Sequence, residues 1–325
     1  MTVIREARSD DLPAMAALLL AQADMRHARD PVFWPIAANA QATVTLALEK
    51  SLEGGEQPIW QRWLVAETDD RITGLAHVMR LPVPPIYAGR FGQPGLLRED
   101  SCVSPDADAG LRAELLAAAE EMLRADGAEV LLASVRSGED WQSTCADAGY
   151  TPLTLYFAKS GLKEKPVAEG IRGAGEEDLQ DIVARSAENR AILHRLNSFW
   201  EPHAEADARF GAWMQRSLSL EDRDMLIGGS GYIIAQPASP LHFPAAHEAG
   251  AVGAIDDFYH TDLADSTSLQ NEGEAAIALL DAGESTLVAR GRDAAFVVCP
   301  AAWVAKARML EAAGYRPELI WMIKQ

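Results

Sequence analysis

With 325 residues, 48% of them apolar and 24% charged, the chain suits two globular cores of about 150 residues each, and its composition excludes intrinsic disorder and collagen-like repeats. A formal charge of −19, spread over both halves, excludes sequence-independent binding to nucleic-acid backbones and favours cationic partners. The early apolar stretch at residues 12–21 is too short to span a bilayer, and Cys102, Cys145 and Cys299 are too widely spaced for a disulfide framework, so a cytoplasmic protein without a membrane partner is expected.

In chain order, residues 3–7 read as a strand, 10–22 as a helix capped by Ser9, and about 38–52 as a second helix. Residues 63–67 and 72–79 predict a hairpin across Asp69-Asp70, followed by a strand near 95–103. Leu111, Leu115, Ala118 and Met122 share one face of a helix over about 109–125. A buried strand (130–135), a short helix (139–148) and a last strand (152–159) follow. Around residues 160–170 the chain turns polar, with two glycines and Pro166, as a linker does. The same order then returns, with strands near 168–173, 224–228, 231–236, 251–259, 293–298 and 316–323 and helices between them.

This return is an internal duplication. Ala148-Gly149-Tyr150 recurs as Ala313-Gly314-Tyr315, and each runs into an apolar strand ending at a lysine, Lys159 or Lys324. Ile4-Arg5 and Asp11-Leu12 recur as Ile171-Arg172 and Asp178-Leu179, and His27 with Phe33-Trp34 as His194 with Phe199-Trp200. Leu115-Leu116 recurs as Leu279-Leu280. Two domains are expected, residues 1–160 and 161–325.

The order β-α-α-β-β-β-α-β-α-β, closed each time by Gly-Tyr, resembles the GNAT (GCN5-related N-acetyltransferase) superfamily over nearly the whole chain, twice. The resemblance implies an α/β fold of two tandem domains, each a central mixed sheet flanked by helices. It also implies acyl transfer from acetyl-coenzyme A, used as co-substrate, to an amine, without a metal. A cationic small-molecule amine is the expected acceptor, because the chain is acidic. The rival from another class is a catalytically silent duplicated fold that binds an acyl-coenzyme A or another metabolite, or serves as a scaffold.

In this family the pyrophosphate sits on the N-terminus of the long helix, where unpaired amides and the helix dipole attract an anion. The first copy offers Val103 ahead of the loop and then Gly110, Leu111 and Arg112, with Asp106 and Asp108 close by. The second offers Gln270, Gly273 and Ala275, a literal Q-x-x-G-x-A. Either copy can be the coenzyme site on this reading.

The resemblance places a catalytic acid on the strand before that loop, where both copies carry a pair, Glu99-Asp100 and Asp256-Asp257. Adjacent strand residues face opposite ways, so one of each pair enters the cleft; Glu99 and Asp256 are the expected cleft acids, and His260 a further base on the face of Asp256. Trp34 and Trp200 are expected on the acceptor side, able to hold an amine by cation–π contact. The tyrosine that many family members carry four residues before the closing glycine is replaced by Cys145 and Leu310. His242 and His247, in a Pro/Ala-rich loop, read as solvated, and no G-x-S-x-G, Walker or H-E-x-x-H motif occurs.

Overall fold

Strand β1 (Thr2–Glu6) opens the first repeat and is followed by α1 (Leu12–Arg29) and α2 (Ala40–Leu52). Then come β2 (Gln61–Thr68), β3 (Arg71–Arg80), β4 (Gly95–Leu97) and β5 (Cys102–Val103). The long helix α3 (Leu111–Ala125), β6 (Leu131–Arg136), α4 (Asp140–Asp147) and β7 (Thr151–Ser160) complete it. The second repeat runs β8 (Arg172–Gly173), α5 (Leu179–Leu196), α6 (Ala206–Ser217), β9 (Asp224–Gly228), β10 (Gly231–Pro237) and β11 (Val252–His260). It ends with α7 (Glu274–Ala289), β12 (Ala294–Pro300), α8 (Val304–Ala312) and β13 (Arg316–Lys324). These elements come from a computed structural model that describes residues 1–53 and 59–325.

The alternation of side chains along β2 shows how the helices are layered. Trp63 and Val65 join the apolar cluster of α1 and α2, whereas Leu64 and Ala66 join that of α3. Consecutive strand residues point to opposite faces, so α1 and α2 cover one face of the sheet and α3 the other.

All the strands belong to one 13-stranded sheet, ordered β1-β2-β3-β4-β6-β13-β7-β12-β11-β10-β9-β8, with β5 paired to β3. At the centre the last strands are exchanged: β13, from the second repeat, pairs with β6 of the first, and β7 pairs with β12 of the second. Leu155 pairs directly with Ile320, so the local two-fold of the duplication passes between them. A division at residue 160 therefore follows the sequence repeat, while each half of the sheet takes its innermost strand from the other repeat.

The repeated lysines and tyrosines lock this exchange. Lys159, at the end of β7, reaches Glu284 on α7 at 2.8 Å and lies 5.1 Å from the Tyr315 ring. Its counterpart Lys324 reaches Glu120 on α3 at 2.7 Å and lies 5.5 Å from the Tyr150 ring. The loops exchange as well. His203 N–H donates to Ile86 O and Ala88 N–H to Glu201 O, tying residues 81–94 to the second half. Ala37 N–H donates to Ala246 O and Glu248 N–H to Pro35 O, tying the loop after β10 to the first half.

Two expectations are corrected. The single strand expected over 95–103 is broken by a turn in which Ser101 N–H bonds Arg98 O: β4 pairs with both β3 and β6, whereas β5 keeps only β3. The loop of His242 and His247 is not solvated: it docks over the first half, burying His247 against Trp34 with ring centroids 5.1 Å apart and setting His242 4.9 Å from the Phe296 ring.

Burial holds both histidines down at about 4. The unfolded chain protonates below about 6.5 but the folded one does not, so stability is full above that pH and is lost as pH falls towards 4. Asp257, pushed up to about 6 by burial, acts in the opposite direction between its two values. Replacing His247 by Phe should therefore leave the neutral protein near its normal stability and reduce the loss between pH 7.5 and 5 by about 2 kcal/mol, read from urea unfolding at the two pH values. An unchanged acid limb would show that His247 does not titrate as its burial requires.

Candidate active site

The first site forms where two parallel strands part. Strands β4 and β6 pair over Gly95, Leu96 and Leu97, and then the turn after Leu97 parts the chain from β6 while it continues along β3. The gap is a slot of about 20 Å³ lined by residues that include Arg26, Glu99, Ser134, Arg136 and Trp141. Glu99 is buried in it and paired with Arg98 at 2.8 Å. Buried Nε atoms of Arg26 and Arg98 and the Ser134 hydroxyl have no hydrogen-bond partner among the described residues. A small slot ringed by unpartnered donors suits an oxygen carrying partial negative charge.

Arg98 also lines a larger pocket of about 300 Å³ between α1, α2 and the loop after β10. Here Asp100 bonds His77 Nδ1 at 3.0 Å, and His77 Nε2 lies 3.0 Å from Gln61 Oε1. Trp63 stacks on the imidazole, with ring centroids 4.0 Å apart and planes 13° from parallel. Burial alone would raise the Asp100 carboxyl, but His77 and Arg98 together hold it down at about 2, so it is ionised at neutral pH. Sequence reasoning missed His77. It is a single histidine on an ordinary hairpin strand, 23 residues from its aspartate, and nothing in its spacing marks it.

Val103 is buried in β5 and Leu111 in the core, so neither presents a side chain to a ligand. The N-terminus of α3 that follows, at Gly110, has no side-chain cap. Asp108 accepts from Gly110 N–H at 2.8 Å from an exposed position, and Asp106 is paired with Arg71. Arg112 is turned away from the helix mouth to Asp140 at 3.1 Å.

In the second half β11 and β12 pair as far as Ile255 and Val297 and then part in the same way. Asp257 accepts from the Tyr232 hydroxyl on one face. Asp256 on the other is accessible to solvent, yet lies deep enough that desolvation raises its carboxyl; Gln236 donates to it at 3.0 Å.

The coenzyme side of this second cleft is filled from within. Gln270, Gly273 and Ala275 do lead into α7, but the buried Asp262 carboxylate takes the N–H groups of Ala275 and Ala276 at 3.1 and 3.3 Å. Asn271, Glu272 and Gly273 all take left-handed backbone conformations, which sets the turn that admits this carboxylate. The buried Lys306, on α8, donates from Nζ to Phe258 O, beyond the point where the strands part, at 2.9 Å. Trp303 ties the loop shut through Leu263 O at 3.1 Å.

Two further expectations are corrected here. His260 does not share a site with Asp256: it is buried, and its Nδ1 accepts from Asp262 N–H at 3.0 Å. Trp34 is wholly buried, its indole N–H bonded to Glu318 at 2.9 Å, and is a packing residue. Cys145 and Leu310 are both buried in the core, and burial pushes the Cys145 thiol up to about 12. Trp200, in contrast, is half-buried and lines an open recess beside Asp256.

The fold is that of the GCN5-related N-acetyltransferases, present twice. Superposition on the GCN5-related N-acetyltransferase from Sphaerobacter thermophilus covers 99% of this chain and 95% of that one, with a TM-score of 0.58 and 15% identity. A tandem GNAT protein from the clavulanic acid biosynthesis pathway is matched over 100% of this chain and 98% of that one, at a TM-score of 0.48 and 14% identity. A GCN5-related N-acetyltransferase from Kribbella flavida is matched over 100% and 72%, at 0.42 and 13%. No protein-family model and no curated protein sequence matches the chain. Among the described residues no helix is long and apolar enough to cross a membrane, and no group of three His, Cys, Asp or Glu side chains is placed to hold a metal ion.

Proposed function

We propose that the chain is an acyl-coenzyme A-dependent N-acyltransferase in which the first repeat holds the coenzyme and the second is catalytically silent. The contrast between the two long helices carries this reading: on α3 Asp108 holds only the Gly110 N–H and no side chain takes the amides of Arg112 and Ala113, whereas on α7 Asp262 takes those of Ala275 and Ala276. A pyrophosphate on α3 meets free backbone amides and the positive end of the helix dipole; on α7 it must first displace a buried carboxylate.

The acyl-pantetheine arm then enters between β4 and β6, past Trp141, and the thioester oxygen takes the unpartnered donors of Ser134, Arg98 and Arg26. The acceptor amine comes from the 300 Å³ pocket on the far side of Arg98. Its nitrogen attacks the thioester carbon; the C–N bond forms, the C–S bond breaks, and the thiolate leaves without a tyrosine to protonate it. His77 acts from its neutral tautomer, with Nδ1–H held on Asp100: once the Gln61 amide oxygen turns aside, the bare Nε2 receives the amine proton, and Asp100 stabilises the imidazolium. Glu99, held by Arg98, positions that guanidinium rather than accepting the proton. An acidic chain with buried, unpaired cysteines fits a reducing, cytoplasmic setting.

Calorimetric titration with acetyl-coenzyme A tests the assignment. One saturable site per chain is expected, lost on Gly110→Glu and retained on Ala275→Glu, since both positions are exposed and each new carboxylate stands at one helix mouth. Loss on Ala275→Glu alone would move the coenzyme to the second repeat. No binding up to millimolar ligand would leave the silent, ligand-binding reading, which the missing tyrosines and the filled second cleft favour.

A further inference from the structure

The open part of the second cleft has chemistry of its own. Its recess, about 120 Å³, has Asp256 in its lining and aromatic walls in two pairs. Tyr87 and Trp200 have ring centroids 5.2 Å apart, and Tyr156 and Trp321 5.8 Å apart. Three lining residues carry buried polar atoms without a partner among the described residues: Thr154 Oγ1, Asn189 Oδ1 and Trp200 Nε1. Thr154 is only 4% exposed, so its hydroxyl gains nothing from bulk water. Unsatisfied buried polar groups of this kind ask for a ligand.

Tyr87, Trp200 and Trp321 also line a second chamber of about 330 Å³, whose other walls include Leu81, Phe91, Leu132, Phe199 and Leu241. A polar head space thus adjoins an apolar one, with these three aromatic side chains as their shared wall. The head space offers three acceptors: the Asp256 carboxylate, Asn189 Oδ1 and the Thr154 hydroxyl. A primary ammonium carries three donors and no acceptor. The surrounding rings attract a cation through their faces, and the chain's charge of −19 draws cations towards it. Lys306, the cation in the lining, is turned away to Phe258 O.

We propose that the cleft of the second repeat binds an amphipathic primary ammonium ion, its head against Asp256, Asn189 and Thr154 and its hydrocarbon body in the adjoining apolar chamber. Acyl transfer is not required there, because Asp262 occupies the helix amides on the coenzyme side, and the inference does not depend on activity in the first repeat.

The test compares octylammonium with octanol, a neutral molecule of the same length, by calorimetry and tryptophan fluorescence on the full chain. Octylammonium should bind at least about tenfold more tightly, the worth of a charge-assisted over a neutral hydrogen bond. Asp256→Asn should bring the two ligands to similar affinity, and Thr154→Val, which keeps the side-chain shape, should weaken octylammonium several-fold. Gly110→Glu should change neither, which separates this site from the coenzyme site. Equal affinity for octanol, a preference that survives Asp256→Asn in a protein with unaltered circular dichroism, or no saturable binding below millimolar ligand would each overturn the proposal.

Discussion

Replacing His77 with glutamine should reduce acyl transfer to amines by about 10²- to 10⁴-fold, the range a positioned acid–base group contributes, while leaving acetyl-coenzyme A binding intact. Glutamine keeps a polar group against Trp63 and Asp100 but cannot take a proton at neutral pH. The separation follows from geometry: His77 and Asp100 line the 300 Å³ pocket, and neither lines the slot between β4 and β6. Asp100→Asn should act in the same direction by leaving the imidazolium without its counter-charge. The measurement is single-turnover transfer from acetyl-coenzyme A to a panel of small amines, with binding followed separately. Full turnover in the His77→Gln variant would remove the histidine from the mechanism and turn attention to Glu99.

The second large effect concerns stability. Glu284 is wholly buried on α7 and paired with Lys159 and Lys165 at 2.8 and 3.0 Å. Glu284→Ala leaves two ammonium groups near a dry cavity and should destabilise the fold by about 3–5 kcal/mol, read from urea unfolding. The equivalent pair, Lys324 with Glu120, is more open, with side chains 27% and 17% exposed, so Glu120→Ala should cost about 1–2 kcal/mol. The asymmetry is the informative part. If the two variants lose equal stability, burial is not what sets the strength of these contacts.

Much of the fold is legible in the sequence. The offset between Gly149 and Gly314 disclosed the duplication, and apolar periodicity located α3, β6 and β7 to within a residue or two, because burial of one face is a local pattern. The repeated lysines at 159 and 324 were visible, though their partners were not. The acid pairs Glu99-Asp100 and Asp256-Asp257 are visible in the sequence; Glu99 lines the first slot and Asp256 the second recess, while Asp100 lies on His77.

What stayed hidden depends on contacts between residues distant in sequence. Nothing in the sequence places β13 beside β6 or Lys159 beside Glu284, since the duplicated strands are alike and either arrangement satisfies their hydrogen bonds. The Q-x-x-G-x-A match at Gln270 concealed that Asp262 occupies the amides it should offer to a ligand. Likewise, His77 meets Asp100 only because the turn between β4 and β5 is held against β3 on both sides. Sequence periodicity by itself determined the elements and their doubling, because it records which faces are apolar. The tertiary structure alone decided which strands were exchanged, which helix end stayed open and which buried polar atoms lacked a partner, because those depend on distances that a linear pattern does not encode.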